Sequence, residues 1–301
     1  MTSRLQRIFS GLDRNDLEVL RTIERYLARF EYVPIEVIEK RVRMKPTELL
    51  KSIDKLSTLK LIKRRLGSIT GYTLTYTALD ILALANLMNR GVISRIGDKI
   101  GVGKESDVYI AETPSGDLVV IKFHREGRAS FTHLRRYRSY VAGVNRIGWL
   151  RIAKLIGERE FKALLLLHRE RAKVPEPIAY NRHCVVQEYI PGVDLYRVKH
   201  MDEDTAKSSL LDVINTLRIA YVKVGIVHGD LSEYNVMIAD DGHSYIIDWP
   251  QYVYREEEIA EELLLRDVNY IIRFYRKRYG IGVEPDKVLH YIKGEINAIQ
   301  V

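Results

Sequence analysis

A single cysteine, Cys184, is present in 301 residues. An internal disulfide is therefore excluded, and a reducing cytoplasm is the expected setting. Long apolar runs are missing as well. The longest, such as 163–167, fall far short of the roughly 20 residues a membrane-spanning helix needs, so no membrane partner is expected. Met1-Thr-Ser-Arg passes straight into an amphipathic pattern, and no signal peptide is expected. The first third also lacks balanced charge. Residues 1–90 carry a net +7 of the chain's formal +8, leaving +1 for residues 91–301. A basic domain of that size suggests nucleic acid, with a solvated basic surface as the plain alternative.

That first third reads as helices and a hairpin. Asp13 is a suitable N-cap for a helix through residue 30, with Leu17, Leu20, Ile23, Leu27 and Phe30 on one face. Pro34 opens a short second helix through Lys40. Pro46 opens a third, with Leu49, Ile53, Leu56 and Leu59 inward. Residues 61–66 and 69–76 alternate apolar and polar around Gly67-Ser68, which predicts a β-hairpin. This is winged-helix order, in which the third helix is the usual groove reader. Its exposed side is expected to carry Lys51, Lys55 and Lys60, and the wing adds Lys63, Arg64 and Arg65. The nucleic-acid candidates are Lys51, Lys55, Lys63, Arg64 and Arg65; docking on a protein is the other use of such a module. Thr77 is expected to cap an apolar connector helix, 78–89.

The rest of the chain is organised around 227–250. His228-Gly229-Asp230 is followed five residues later by Asn235, and two strand-like runs, 236–239 and 244–247, flank an Asp-Asp-Gly-His turn. The hairpin returns Asp248 to the side of Asn235. Phosphoryl transfer needs this set: one Asp toward the nucleophile, and an Asn and a second Asp on the metals that neutralise the triphosphate. Upstream, Gly101 and Gly103 lie at a strand–turn–strand tip, and strand 118–122 ends in Lys122, suited to α/β phosphate oxygens. Lys104 and Ser106 add a charge and a hydroxyl to that tip. Helix 151–171 offers Glu158 and Glu160 as partners for Lys122. Glu188 and Ile190, before a Pro-Gly turn, suit a hinge whose backbone bonds adenine. Between strand and helix, 123–154 holds eight Lys or Arg against one acid and reads as a mobile basic insertion. Its Ser130, Thr132 and Ser139 are autophosphorylation candidates.

Other parts of an ordinary protein kinase are absent. The third glycine of the phosphate loop is missing, no arginine precedes Asp230, no Ala-Pro-Glu motif occurs, and 53 residues follow Asp248. Two further helices, 256–279 and 285–298, fill that length. The expected fold is α+β, an N-terminal winged helix-turn-helix domain followed by a truncated bilobal protein-kinase-like domain. The expected divisions are 1–90, 91–190 with the insertion 123–154, and 191–301.

Gly101-Val-Gly-Lys-Glu-Ser-Asp-Val-Tyr, Ile121-Lys122, Glu160-Phe161 with Val174-Pro-Glu-Pro, His228-Gly-Asp-Leu-Ser-Glu-Tyr-Asn235 and Ile247-Asp248-Trp-Pro-Gln together resemble the RIO atypical kinases. The winged helix places the resemblance in their second subfamily. It implies Asp230 as catalytic Asp, Asn235 and Asp248 as metal ligands, and Glu160 rather than Glu158 as partner of Lys122. It also implies ATP with Mg2+ or Mn2+, and a monomer working on rRNA and ribosomal proteins of maturing small ribosomal subunits. An ATPase-like cycle that phosphorylates Asp248 transiently follows from the same resemblance. Trp249 stands where the family often has Phe, a question of packing. Two other readings remain open: a small-molecule kinase of the aminoglycoside or choline type, and a winged-helix regulator with an inactive nucleotide-sensing half.

Overall fold

Several helix starts in the first third are set by side chains that take up the otherwise unsatisfied first N–H groups. In the structure, a computed structural model describing residues 3–67, 70–102, 106–125 and 149–301, Ser3 caps α1 (Arg4–Ser10). Asp13 caps α2 (Arg14–Tyr26) in a reciprocal box with Asp16. The sequence pattern did not separate α1, and α2 stops at Tyr26, with turns over the last residues before Phe30. After β1 (Val33–Pro34) come α3 (Ile35–Glu39) and α4 (Pro46–Thr58), the latter with proline in its first turn. The wing, β2 (Ile62–Arg65) and β3 (Gly71–Leu74), joins β1 in an antiparallel sheet of order β1-β3-β2.

The next helix, α5 (Tyr76–Asn89), is capped by Thr75 and not by Thr77. Thr75 leaves β3 in the extended conformation a cap requires, whereas Thr77 is already inside the first turn. Its Oγ1 accepts from the Ala78 N–H at 3.3 Å and donates to the Leu61 carbonyl at 3.1 Å. Far from being a bare linker, α5 is buried over Ala78–Ala85 and at Leu87, with apolar side chains everywhere in that stretch but at Asp80. One hydrophobic core runs from Leu20 and Ile53 through Ile81 and Leu84 to Ile96, Ile121, Phe123 and Val186. The winged helix and a five-stranded sheet therefore fold on shared side chains. That sheet comprises β4 (Arg95–Val102), β5 (Ser106–Glu112), β6 (Leu118–His124), β7 (Pro177–Asn181) and β8 (Cys184–Glu188), in the order β4-β5-β6-β8-β7. Between β6 and β7 runs α6 (Trp149–Arg169).

Two compact units result: 1–158 with 179–186, and 159–178 with 187–301. Residue 90 lies inside the first unit, and residue 190 lies inside the second. In the second unit, α7 (Glu203–Arg218) is capped by Asp202 and runs into a π-turn that Gly225 ends at φ +77°. β9 (Gly192–Asp194), β11 (Val236–Ala239) and β12 (Ser244–Ile246) form a sheet of order β12-β11-β9. β10 (Ile226–Val227) pairs with β13 (Val253–Tyr254). α8 (Ala260–Tyr279) starts four residues later than expected, and α9 (Pro285–Ile292) ends six earlier. Leu210, Val213, Ile214, Val268, Ile271 and Tyr275 fill the core between these helices and the sheet. Among the described residues no helix is long and apolar enough to cross a membrane.

Candidate active site

The second unit assembles one loop, 228–235, between β10 and β11. Register places Val236 opposite Ile246, and the Ile247 N–H donates to the Asn235 carbonyl at 2.9 Å. Asn235 and Asp248 therefore sit at the same end of the hairpin, as the spacing predicts. The Asn235 amide donates to the Asp230 carbonyl at 2.8 Å and ties the two ends of the loop together. Asp248 holds φ +65°, a left-handed backbone that is unfavourable for a residue with a side chain and clusters at functional sites.

His228 is fully buried. Its Nδ1 accepts from the Asp230 N–H at 3.2 Å, so Nε2, 3.2 Å from the Ile247 carbonyl, carries the proton. Its ring lies 4.6 Å from that of Trp249. Trp249 is itself buried, and its indole N–H donates to the Ile246 carbonyl at 3.1 Å, so the larger ring is accommodated with its polar edge satisfied. Gly229 adopts φ +77°, and a Cβ there would approach the Gln251 carbonyl oxygen to 3.1 Å. Only glycine fits that turn without strain.

Sequence reasoning missed Asp267. This carboxylate, 1% exposed on α8, accepts from the Gly229 N–H at 2.8 Å and the Leu231 N–H at 3.2 Å. Arg266 flanks it at 3.2 Å and also bonds the Gly229 carbonyl. The available signal was an acid on the apolar face of a helix, four residues from both Leu263 and Ile271. Burial pushes the Asp267 pKa up, against the pull of Arg266 and the Gly229 N–H. Asp230 is also raised, first by desolvation and then by the nearby charges of Asp248 and Asp267, with Arg266 opposing.

In the first unit, Gly101 on β4, Val108 on β5 and Lys122 on β6 form one cross-strand row. Lys122 is buried, and so is Ser106, opposite His124. Gly103 and Lys104 lie outside the described residues, as do Ser130, Thr132 and Ser139. Glu160 is buried on α6 within the second unit, while Glu158 is exposed at the end of the first. Glu188 is exposed at the end of β8. Its N–H donates to the Glu176 carbonyl at 2.9 Å and its carboxylate accepts from the Glu176 N–H at 3.1 Å. Ile190 is buried two residues later.

Three cations counted as free surface charge are neutralised in place. Lys55 lies 2.6 Å from Asp16 and 3.7 Å from Asp13, and Asp16 raises its pKa, so it staples α4 to α2. Arg125 is half-buried, bidentate to Asp80 at 2.7 Å and bonded to Asp107 at 2.8 Å. Lys154 pairs with Glu24 at 2.8 Å. Lys51, Lys63 and Arg64 are exposed, and Arg65 lies 3.3 Å from Glu31 with both partners solvated.

Among the described residues no three His, Cys, Asp or Glu side chains converge as a metal cluster. Asn235 and Asp248 instead offer two oxygen donors at one end of a hairpin. Such a set fits Mg2+, which keeps water and phosphate as its other ligands.

A family model described as the RIO domain matches residues 107–288, and one described as Rio2, N-terminal, matches residues 9–90. The chain is 36% identical over 261 residues to the RIO-type serine/threonine-protein kinase Rio2 of Methanocaldococcus jannaschii, covering 86% of this chain and 94% of the relative. The crystal structure of the Rio2 kinase from Chaetomium thermophilum matches with a TM-score of 0.79 at 33% identity, over 97% of this chain and 88% of that one. A second structure, that kinase's ADP/Mg2+-phosphoaspartate complex, matches with a TM-score of 0.79 at 31% identity, over 96% and 89%.

Proposed function

The chain belongs to the Rio2 branch of the RIO family of serine/threonine kinases, and on that premise we propose an ATP- and Mg2+-dependent kinase and ATPase acting in small ribosomal subunit maturation in the cytoplasm. The observation that carries the chemistry is the return of the β11–β12 hairpin, which brings Asp248 to Asn235 on the loop that holds Asp230. Asp230 orients the nucleophile and accepts its proton. Its raised pKa makes it a better base than an ordinary aspartate. Lys122 binds the α/β phosphates, the tip at Gly101 and Ser106 covers them, and the backbone at Glu188 and Ile190 receives adenine. Asn235 and Asp248 would hold Mg2+, whose charge neutralises the triphosphate.

The related phosphoaspartate complex supports a second role for Asp248. In the proposed cycle its carboxylate oxygen bonds to the γ-phosphorus, the bond to the β-phosphate oxygen breaks, ADP leaves, and water later hydrolyses the acyl phosphate. Asp230→Ala is expected to lower ATP turnover by roughly 10²–10⁴-fold while ATP binding stays near wild type. Wild-type turnover in that variant overturns the assignment. Turnover with and without small-subunit precursors tests the ribosomal role, and a hydroxylamine-labile phosphate lost in Asp248→Asn tests the acyl phosphate.

A further inference from the structure

We propose that the first unit carries a second ligand site, a cavity of about 880 Å3 that takes a phosphate ester. Its charged residues come from three places: α2 (Arg21, Glu24, Arg25), the N-terminal turns of α6 (Arg151, Lys154) and the β7–β8 turn (Arg182). None of these residues belongs to the proposed catalytic set, so the site stands or falls separately from it. The volume is that of a small-molecule pocket, whose usual range is roughly 300–1,000 Å3.

The cavity has an inner layer and a rim with different electrostatics. Inside, Glu24 accepts from Arg182 Nε at 2.8 Å and Nη2 at 2.7 Å, and from Lys154 at 2.8 Å. These cations hold the Glu24 pKa down against its burial. Arg182 spends its remaining donors on the Leu82 carbonyl at 3.2 Å and Asn181 Oδ1 at 2.6 Å. Gly157 lets α6 close onto this turn, since a Cβ there would sit 3.0 Å from the His183 backbone. The inner layer is thus satisfied and structural.

The rim is not. Arg21, Arg25 and Arg151 are exposed, and among the described residues no carboxylate lies within ion-pair distance of them. Arg21 and Arg25 share one face of α2 at i,i+4, a mildly repulsive placement. With the inner ions included, the lining carries five cations against one acid. A concave surface of one sign concentrates counter-ions, and guanidinium forks match phosphate oxygens two at a time. Asn86 and Tyr180 add neutral polar groups suited to the organic part of an ester. A nucleic-acid duplex is too broad for such a cavity, so the occupant is a small phosphate ester or one phosphate of a single strand.

The test uses the full chain with its nucleotide site saturated by a non-hydrolysable ATP analogue and Mg2+ in excess. Calorimetric titration with inorganic pyrophosphate is expected to give one further binding event, weakened at least tenfold in Arg25→Ala/Arg151→Ala and unchanged in Lys51→Ala/Lys63→Ala. Ala28→Glu, which adds a rim carboxylate at an exposed position, is expected to weaken it similarly without touching the core. No further event in the wild type, or equal binding in these rim variants, overturns the proposal. A single-stranded oligoribonucleotide that displaces pyrophosphate with the same arginine dependence identifies an RNA phosphate as the source. Displacement by a phosphosugar but not by the oligonucleotide identifies a free ester.

Discussion

Asp267 accepts from the N–H groups on either side of Asp230, and its loss leaves both donors without their carboxylate. Hydrogen bonds to a charged group contribute about 1.5–3 kcal/mol each. Asp267→Ala is therefore expected to cut turnover at least tenfold while nucleotide affinity changes by less than about threefold; a larger loss of affinity than of turnover counts against a positioning role. Asp230 makes the complementary case. A carboxylate whose folded pKa is raised lends stability while protonated and loses it as pH rises through the folded value. At neutral pH, where a free aspartate is ionised, the desolvation and the neighbouring charges of Asp248 and Asp267 that disfavour its ionised form cost stability. Asp230→Asn should therefore melt above the wild type at pH 7, with the difference vanishing toward pH 4, about the value of a free aspartate. An equal or lower melting temperature at pH 7 contradicts the charge crowding. That Asn235 and Asp248 meet beside the loop carrying Asp230 was legible in the sequence, because one hairpin and the loop before it hold them at short range. Asp267 was not, because its contact spans 36 to 38 residues and depends on how α8 packs.

At the scale of elements, most helices and strands could be read from their periodicity and caps, but what α5 does could not be read from its bounds. Its Asp80, 2% exposed, is where Arg125 after β6 and His183 in the β7–β8 turn converge, the histidine Nε2 at 2.7 Å. An acid inside an apolar helix hinted at such a partner, but the identity of the partner is a tertiary fact. Removing one side of a fully buried pair costs about 3–5 kcal/mol; Arg125 is half-buried and keeps Asp107, so the lower end of that range applies. Asp80→Ala is expected to destabilise the protein by about that much in urea unfolding. The double replacement Asp80→Leu/Arg125→Met is expected to cost less than Asp80→Ala alone, and the reverse order rules out a paired charge. Burial holds the His183 pKa below its usual value, so its contribution is present above about 6.5 and is lost as pH falls.

For the whole molecule, net charge was legible as a sum but not as a surface. Residues 1–90 total +7 and residues 123–154 another +7, leaving −6 for the rest. The structure withdraws Lys55, Arg125 and Lys154 from the free charge by pairing each with an acid. Sequence could not show this, since the partners lie 39, 45 and 130 positions away. If the winged helix binds RNA, the cations left to do so are Lys51, Lys63, Arg64 and Arg65. Each phosphate contact contributes roughly 0.7–0.9 to the log–log slope of affinity against salt. Neutralising these four together should flatten the slope for a structured RNA by up to about 3, with ATP turnover of the free protein unchanged. Lys55→Ala should instead lower stability and leave the slope nearly as it was, since its charge is already matched by Asp16 and Asp13. Affinities measured between roughly 50 and 200 mM salt decide the matter. An unchanged slope in the fourfold variant assigns the winged helix to protein docking and makes its basic residues a solvated face.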